Sequence, residues 1–297
     1  MCSRVEAERL VSFTNTADPL FMVGAVAVGM FRMPSLGPIL AASHYVSAII
    51  IGLGLKYYAY RSRETRLPEA GRPHEPILSK AAHELYTARH QDGRSLGQVF
   101  GDAVRDSVST LLLIGGCIML FSVVVKVLDV AGITRLASAL TQWIMSPLGM
   151  HEAVTPSLMN GVFEITMGSE IASKAAAPLT QRAVAASAII AWSGLSVFAQ
   201  VAAMLHGTDV SMKPYLFARM AHAGLAGLVT KGLLLMFPSV LSAAAVVEGV
   251  FPHQPGFLWS VARSTASVAM TMGILGIAAA VRVVLRPASA RPTRTQP

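Results

Sequence analysis

Residues 160–179 read NGVFEITMGSEIASKAAAPL. Asn160, Glu164, Thr166, Ser169 and Glu170 fall within eleven residues, and Lys174 follows. The chain around them is mostly apolar: 53% of its 297 residues are hydrophobic and 13% are charged. A soluble domain carries about 25% charged residues. Several apolar runs exceed the roughly 20 residues that span a bilayer core. The chain therefore reads as an all-α polytopic membrane protein. A carboxylate at membrane depth is costly and asks for a partner or a wet cavity. Asn160 and Glu164 are four apart and are expected on one helical face, in a site for a substrate or a coupling cation. The plain alternative is an interfacial loop in water, where the charges cost little. Glu170 is a weaker candidate, and Lys174 reads as a snorkelling end residue rather than a ligand.

On the C-terminal side, RAVAASAIIAWSGLSVFAQVAAMLH (182–206) is interrupted at WSGLS (192–196). Near the start, residues 5–13 read as helix, and TNTADP (14–19) breaks it, because Pro19 disfavours helix at Asp18. The apolar piece 20–31 is too short to span alone. Spanning helices are predicted at 36–58, 107–130, 214–237 and 257–285. Residues 133–149 read as interfacial, anchored by Trp143.

Residues 59–106 hold eight lysines and arginines, which predicts a cytoplasmic loop. Within it ILSKAAHELYTARH suits an amphipathic surface helix. The basic tail 286–297 is expected to be cytoplasmic and disordered. With both ends of 107–285 facing the cytoplasm, one of the stretches 155–178 and 182–206 must cross and the other must re-enter. The whole chain, 1–297, reads as a single membrane domain.

The net charge of +8 sits in that loop and the tail, so it is no sign of nucleic-acid binding. Two cysteines, Cys2 and Cys117, make no disulfide framework or metal pattern, and no apolar signal core opens the chain. HExxH, CxxC and GxxxxGK[ST] are all absent from the sequence. Nothing asks for an enzyme, a catalytic residue, a metal ligand or a cofactor. The implied partners are the lipid bilayer and a small molecule, and a homo-oligomer is compatible with this reading.

The segments 6–31 and 182–207 share an outline: a helical piece, a polar or glycine break, then a short piece rich in Ala, Val and Met. Each leads to a helix with a proline near its start (Pro38, Pro214) and a histidine further in (His44, His222). Paired halves whose broken helices meet near the midplane are a common transporter design. Broken backbone is tolerated there only where protein or water satisfies it. Half-helix ends offer unpaired N–H groups and a positive dipole end to an anion.

The candidate substrate-binding residues are Asn15, Thr16, Asn160, Glu164, Ser169, Ser193, Gln200, Arg219 and His222. Each has a structural alternative. Asn15 and Thr16, with Thr14 and Asp18, could be a helix cap and turn. Ser193 and Gln200 could be polar glue between helices. Arg219 could anchor a helix end. His222, like His44, could simply bond a backbone carbonyl. Gly115 and Gly116 are expected to permit close helix packing, and Lys126 to snorkel.

NGVFEITMGSEIAS, AIIAWSGLSVFAQVAAML and PYLFARMAHAG, in this order, resemble the YlbJ-type sporulation integral membrane proteins. So does EAERLVSFTNTADPLFMVGAVAVGMF followed by LGPILAASHY. The resemblance covers most of 6–283, leaving the 59–106 loop and the tail weak. These proteins carry the nucleoside-recognition, or gate, domain and are related in design to concentrative nucleoside transporters. The resemblance implies a multi-pass cell-membrane transporter of endospore formers, in the mother-cell or outer forespore membrane. Its implied cargo is dipicolinic acid, a small aromatic dicarboxylate. Nucleoside or ion transport on the same scaffold, and a non-transporting sporulation scaffold acting through 59–106, remain open as alternatives. Family members carry a further block of membrane segments before the point matching Val5, whereas this chain starts at the broken helix. The expectation is a chain lacking that N-terminal part of the scaffold.

Overall fold

A computed structural model describes residues 3–58 and 77–240. The predicted span 257–285 and the tail 286–297 lie outside the described residues. Helix α1 (Arg4–Thr14) is opened by a capping box between Ser3 and Glu6. It stops at the polar run Asn15–Asp18, where Asp18 caps the next segment by accepting from the Phe21 N–H at 2.8 Å. That segment, Leu20–Met30, is an 11-residue π-helix, closed by a five-residue bond from the Phe31 N–H to Val26 O at 2.9 Å. Most π-helices are single turns; this one runs through LFMVGAVAVGM, seven of whose eleven residues are Gly, Ala or Val. It is too short to span, as the sequence predicts. The chain then returns as α2 (Leu36–Leu55).

Helix α3 (Ile77–Asp92) and α4 (Leu96–Val130) follow. They are joined at Gly93, whose φ is +64°, and at a capping box between Ser95 and Gln98. Arg94 clamps Asp92 at 2.6 Å and Asp102 at 2.8 Å. Its guanidinium holds the Asp92 carboxyl below the usual carboxylate range. The span expected at 107–130 therefore begins further back, and its 35 residues rise about 52 Å at 1.5 Å each. Only Val125 of α4 is buried. No heavy atom of the described residues lies within 4 Å of where a Cβ would stand on Gly115 or Gly116, so the expected close packing there is not found. Lys126 is exposed and pairs with Asp129 at 3.5 Å.

Gly132, at φ +74°, turns the chain into α5 (Ile133–Met145). Trp143 and Leu136 are exposed on α5, as an interfacial helix requires. Two short 3-10 turns lead to α6 (Thr155–Phe163) and α7 (Ile165–Lys174). Then come α8 (Leu179–Trp192), α9 (Gly194–Met204) and α10 (Met212–Met236).

The two interrupted stretches behave differently. Helix α7 folds back against α6. A Cβ on Gly168 would stand 2.4 Å from Gly161 Cα and 3.0 Å from Ser157 O, so the two backbones touch and only glycine fits. Helices α8 and α9 instead continue one another through Leu179–Met204, 26 residues or about 39 Å. The sequence required one crossing and one re-entrant stretch; 155–178 has the hairpin shape and 182–206 the crossing shape. Among the described residues, α2, α4 and α8–α9 are long and apolar enough to cross a membrane. At 25 residues α10 has the length, but it carries Arg219, His222 and Thr230 on its buried face.

The core is formed by Met22 and Val26 of the π-helix, Leu36 and Leu40 of α2, Ala172 of α7, Ala186 and Ile190 of α8, and Leu234 of α10. Helices α2 and α10 are antiparallel. Glu8 of α1 joins their ends: its Oε2 accepts from the Tyr58 hydroxyl at 3.1 Å. Its Oε1 accepts from the Ser211 N–H at 3.1 Å.

Candidate functional site

The break after α1 and the break after α8 end in backbone carbonyls that have lost their helical donors. Arg219 answers both. Its Nη2 donates to Ser12 O at 3.0 Å and its Nη1 to Ala191 O at 3.4 Å. Both carbonyls lie in the last turn of a half-helix, where the dipole is negative. Arg219 is wholly buried, the largest side chain to be so among the described residues. It is therefore no helix-end anchor.

One turn along the same face, His222 Nε2–H donates to His44 O at 2.9 Å. His44 Nε2 accepts from the Ala17 N–H at 3.1 Å, inside the first break. A carbonyl only accepts, so His222 carries its proton on Nε2 and has a bare Nδ1. By the converse His44 carries its proton on Nδ1. The rings are 4.6 Å apart, and neither Nδ1 has a partner among the described residues. Asn15 donates to the Tyr215 hydroxyl at 2.7 Å. The Thr16 hydroxyl makes a long local bond to Thr14 O at 3.5 Å, beside its backbone N–H bond to the same carbonyl at 2.8 Å. Tyr215, Phe198 and Trp192 form a row with ring centroids 4.8 Å apart at each step, Phe198 tilted 34° against Trp192 and edge-on to Tyr215.

The second cluster surrounds Glu164. The expectation that Asn160 and Glu164 share a helical face is corrected. Glu164 is extended, at φ −146° and ψ 125°, and lies between two helices rather than on one. Its N–H closes α6 by donating to Asn160 O at 2.9 Å. Its Oε2 caps α7 by accepting from the Met167 N–H at 2.7 Å. Helix α7 gains a carboxylate at its positive end, and the short turn folds on itself. Asn160 turns its side chain away, donating to Pro156 O at 2.7 Å. Glu170 is exposed and pairs with Lys174 at 2.5 Å, so neither points inward. Glu164 Oε1, Ser169 Oγ and Ser196 Oγ are buried with no partner among the described residues.

The two clusters sit on either side of the α8–α9 break. Ser193 and Gly194 adopt φ of +76° and +77°. A Cβ on Gly194 would lie 3.1 Å from Phe163 O and 3.2 Å from Glu164 Cα. Arg219 thus holds Ala191 at the end of α8, and Glu164 stands against Gly194 at the start of α9. Trp192 Nε1 donates to Val162 O at 3.1 Å and fixes the approach. Gly194→Ala is expected to cost at least about 1–2 kcal/mol from the left-handed backbone alone. The melting temperature of the detergent-solubilised protein is the check.

The nine candidates therefore divide. Asn15, Arg219 and His222 gather at the first break. Glu164 and Ser193 gather at the second. Among the described residues, Thr16, Asn160, Ser169 and Gln200 make no side-chain hydrogen bond to either group. Tyr215 and Ser196 were missed. Tyr215, Arg219 and His222 are spaced i, i+4, i+7, one helical face, and that signal would have found Tyr215. Ser196 carried no such sign.

Among the described residues, an all-helical arrangement with three helices long and apolar enough to cross a membrane is that of a polytopic membrane protein. Residues 111–208, which contain both the hairpin and the second break, match the family model Gate, described as nucleoside recognition. Over 218 residues, 73% of this chain, the sequence is 44% identical to the sporulation integral membrane protein YlbJ of Bacillus subtilis (strain 168). The resemblance to YlbJ-type sporulation membrane proteins is borne out. The match covers 53% of that relative, so the chain spans about half its length. No solved structure matches the chain.

Proposed function

We propose that the chain works in a secondary transporter for a small organic anion, with dipicolinate the preferred cargo, during endospore formation. Arg219 carries this reading. A buried cation is costly unless paired, and among the described residues Arg219 has no carboxylate partner. Helix C-termini offset part of its charge. Two of the five N–H groups of a guanidinium are used by Ser12 and Ala191, and Nε has no partner. The remaining donors, with His44 Nδ1–H, suit a carboxylate. The row of Tyr215, Phe198 and Trp192 supplies faces on which an aromatic acid can stack. The relative's name supports a role in sporulation, and a mother-cell-side membrane follows from the same resemblance. The two broken segments would then be paired halves of the transport scaffold.

The gate segment's description as nucleoside recognition favours a second reading, in which Glu164 meets the hydroxyls of a nucleoside. A panel of labelled solutes separates the two. Dipicolinate uptake is measured in sealed vesicles carrying this chain, alone and extended upstream to the relative's length. Arg219→Ala and Glu164→Gln are expected to abolish uptake while the protein remains inserted. Unchanged uptake in both variants would sink the site. No uptake of any solute, with insertion confirmed, would move the reading to a non-transporting scaffold acting through the cytoplasmic 59–106 loop.

A further inference from the structure

We infer that Glu164 holds a monovalent metal cation where the α6–α7 turn meets the α8–α9 break. On the anion-transport reading, that cation is the one that accompanies the cargo. The binding itself does not depend on that reading.

Helices α6 and α7 have 9 and 10 residues, or about 14–15 Å each. That is half of a bilayer core of roughly 30 Å, the reach a hairpin entering from one face needs to put its turn at mid-depth. Glu164 is wholly buried there. One oxygen caps α7, and the other has no partner among the described residues. Arg219, on the other side of the α8–α9 break, is committed to two backbone carbonyls, and Lys174, at the far end of α7, to Glu170. The α7 N-terminus contributes only about half a positive charge. A carboxylate buried with one oxygen unpaired is balanced by a bound cation.

The surroundings are hard oxygen donors. The Phe163 carbonyl, at the negative end of α6, lies beside Gly194 and the Glu164 backbone. Two residues past Gly194, the buried Ser196 hydroxyl has no partner among the described residues. Unwound backbone and half-helix C-termini are the usual donors for alkali cations in transporters. A single carboxylate balances a single charge. No group of three His, Cys, Asp or Glu suited to a metal occurs among the described residues, which sets this site apart from the multi-carboxylate cages that hold calcium.

The test measures the melting temperature of the full chain in detergent. Sodium, lithium, potassium and choline chlorides are titrated at equal ionic strength. Wild type is expected to gain several degrees, saturably, with at least one alkali cation and none with choline. Glu164→Gln keeps an oxygen for the Met167 cap and is expected to lose the response. Ser196→Ala removes a hydroxyl with no other partner and is expected to raise the half-saturating concentration about tenfold. Equal melting in choline and all alkali salts overturns the site. So does a wild-type response in Glu164→Gln, or, should that variant not fold, an unshifted midpoint in Ser196→Ala. Alkali-specific stabilisation without anion uptake in any salt would keep the cation site and remove the transport reading. Anion uptake equal in choline and alkali salts, with no cation-specific melting, would do the reverse.

Discussion

Arg219→Ala is expected to be the most damaging single change among the described residues, in stability as well as uptake. It removes the one side chain that donates to Ser12 O and Ala191 O, 207 and 28 residues away. Each buried carbonyl left without a donor costs about 1–3 kcal/mol, and truncating a large buried side chain leaves a cavity with its own cost. The sum is on the order of 4 kcal/mol or more. The expected result is a large fall in melting temperature together with loss of anion uptake. Arg219→Lys is the informative partner. An ammonium keeps the charge but lacks the planar fork that reaches two carbonyls on different helices. It should recover part of the stability and little of the uptake. Full activity in the lysine variant would show that charge alone is needed, and that tying the two half-helix ends is not.

Gly168→Ala is expected to prevent the α6–α7 hairpin from closing. The added methyl would meet Gly161 Cα at 2.4 Å and Gly161 N at 2.7 Å. These are backbone atoms, so no rotamer change relieves the contact. Overpacking costs about 1–3 kcal/mol where side chains can move, and here the cost lies at or above that upper end. A fall in melting temperature of roughly 6–12 °C follows from the usual scaling. Gly224→Ala on α10 is the control, because nothing lies within 4 Å of its Cβ position. That variant should be neutral or slightly stabilised, since alanine is the better helix former. Fluorescence-detected size exclusion before and after heating distinguishes the two.

The first prediction follows from a contact that sequence reasoning did not see, and the second from glycines it quoted without explaining. Arg219 and His222 were visible as polar residues three apart on one helix. Their partners were not, because Ser12 and His44 are brought to them by helix packing and not by spacing. Glu164 was chosen for the cost of a carboxylate at membrane depth, and the structure buries it. Its conformation was misjudged, because helical periodicity was carried through a position where the chain turns. The close approach of Gly161 and Gly168 decides that turn. The Asp18 cap and the break before Pro19 were legible because both act within a few residues.

By itself the sequence determined that this is a helical membrane protein, that helices cover 36–55 and 107–130 at spanning length, and which stretches are interrupted. These follow from apolar length, proline and local hydrogen bonding, which operate over one or two helical turns. Only the tertiary structure decided that 155–178 folds back while 182–206 runs on, that both breaks meet at Arg219, and that Glu164 stands against the second. Those outcomes depend on which backbones can touch and which buried groups find partners across the bundle. Such contacts join residues up to 207 positions apart, beyond the reach of any local rule.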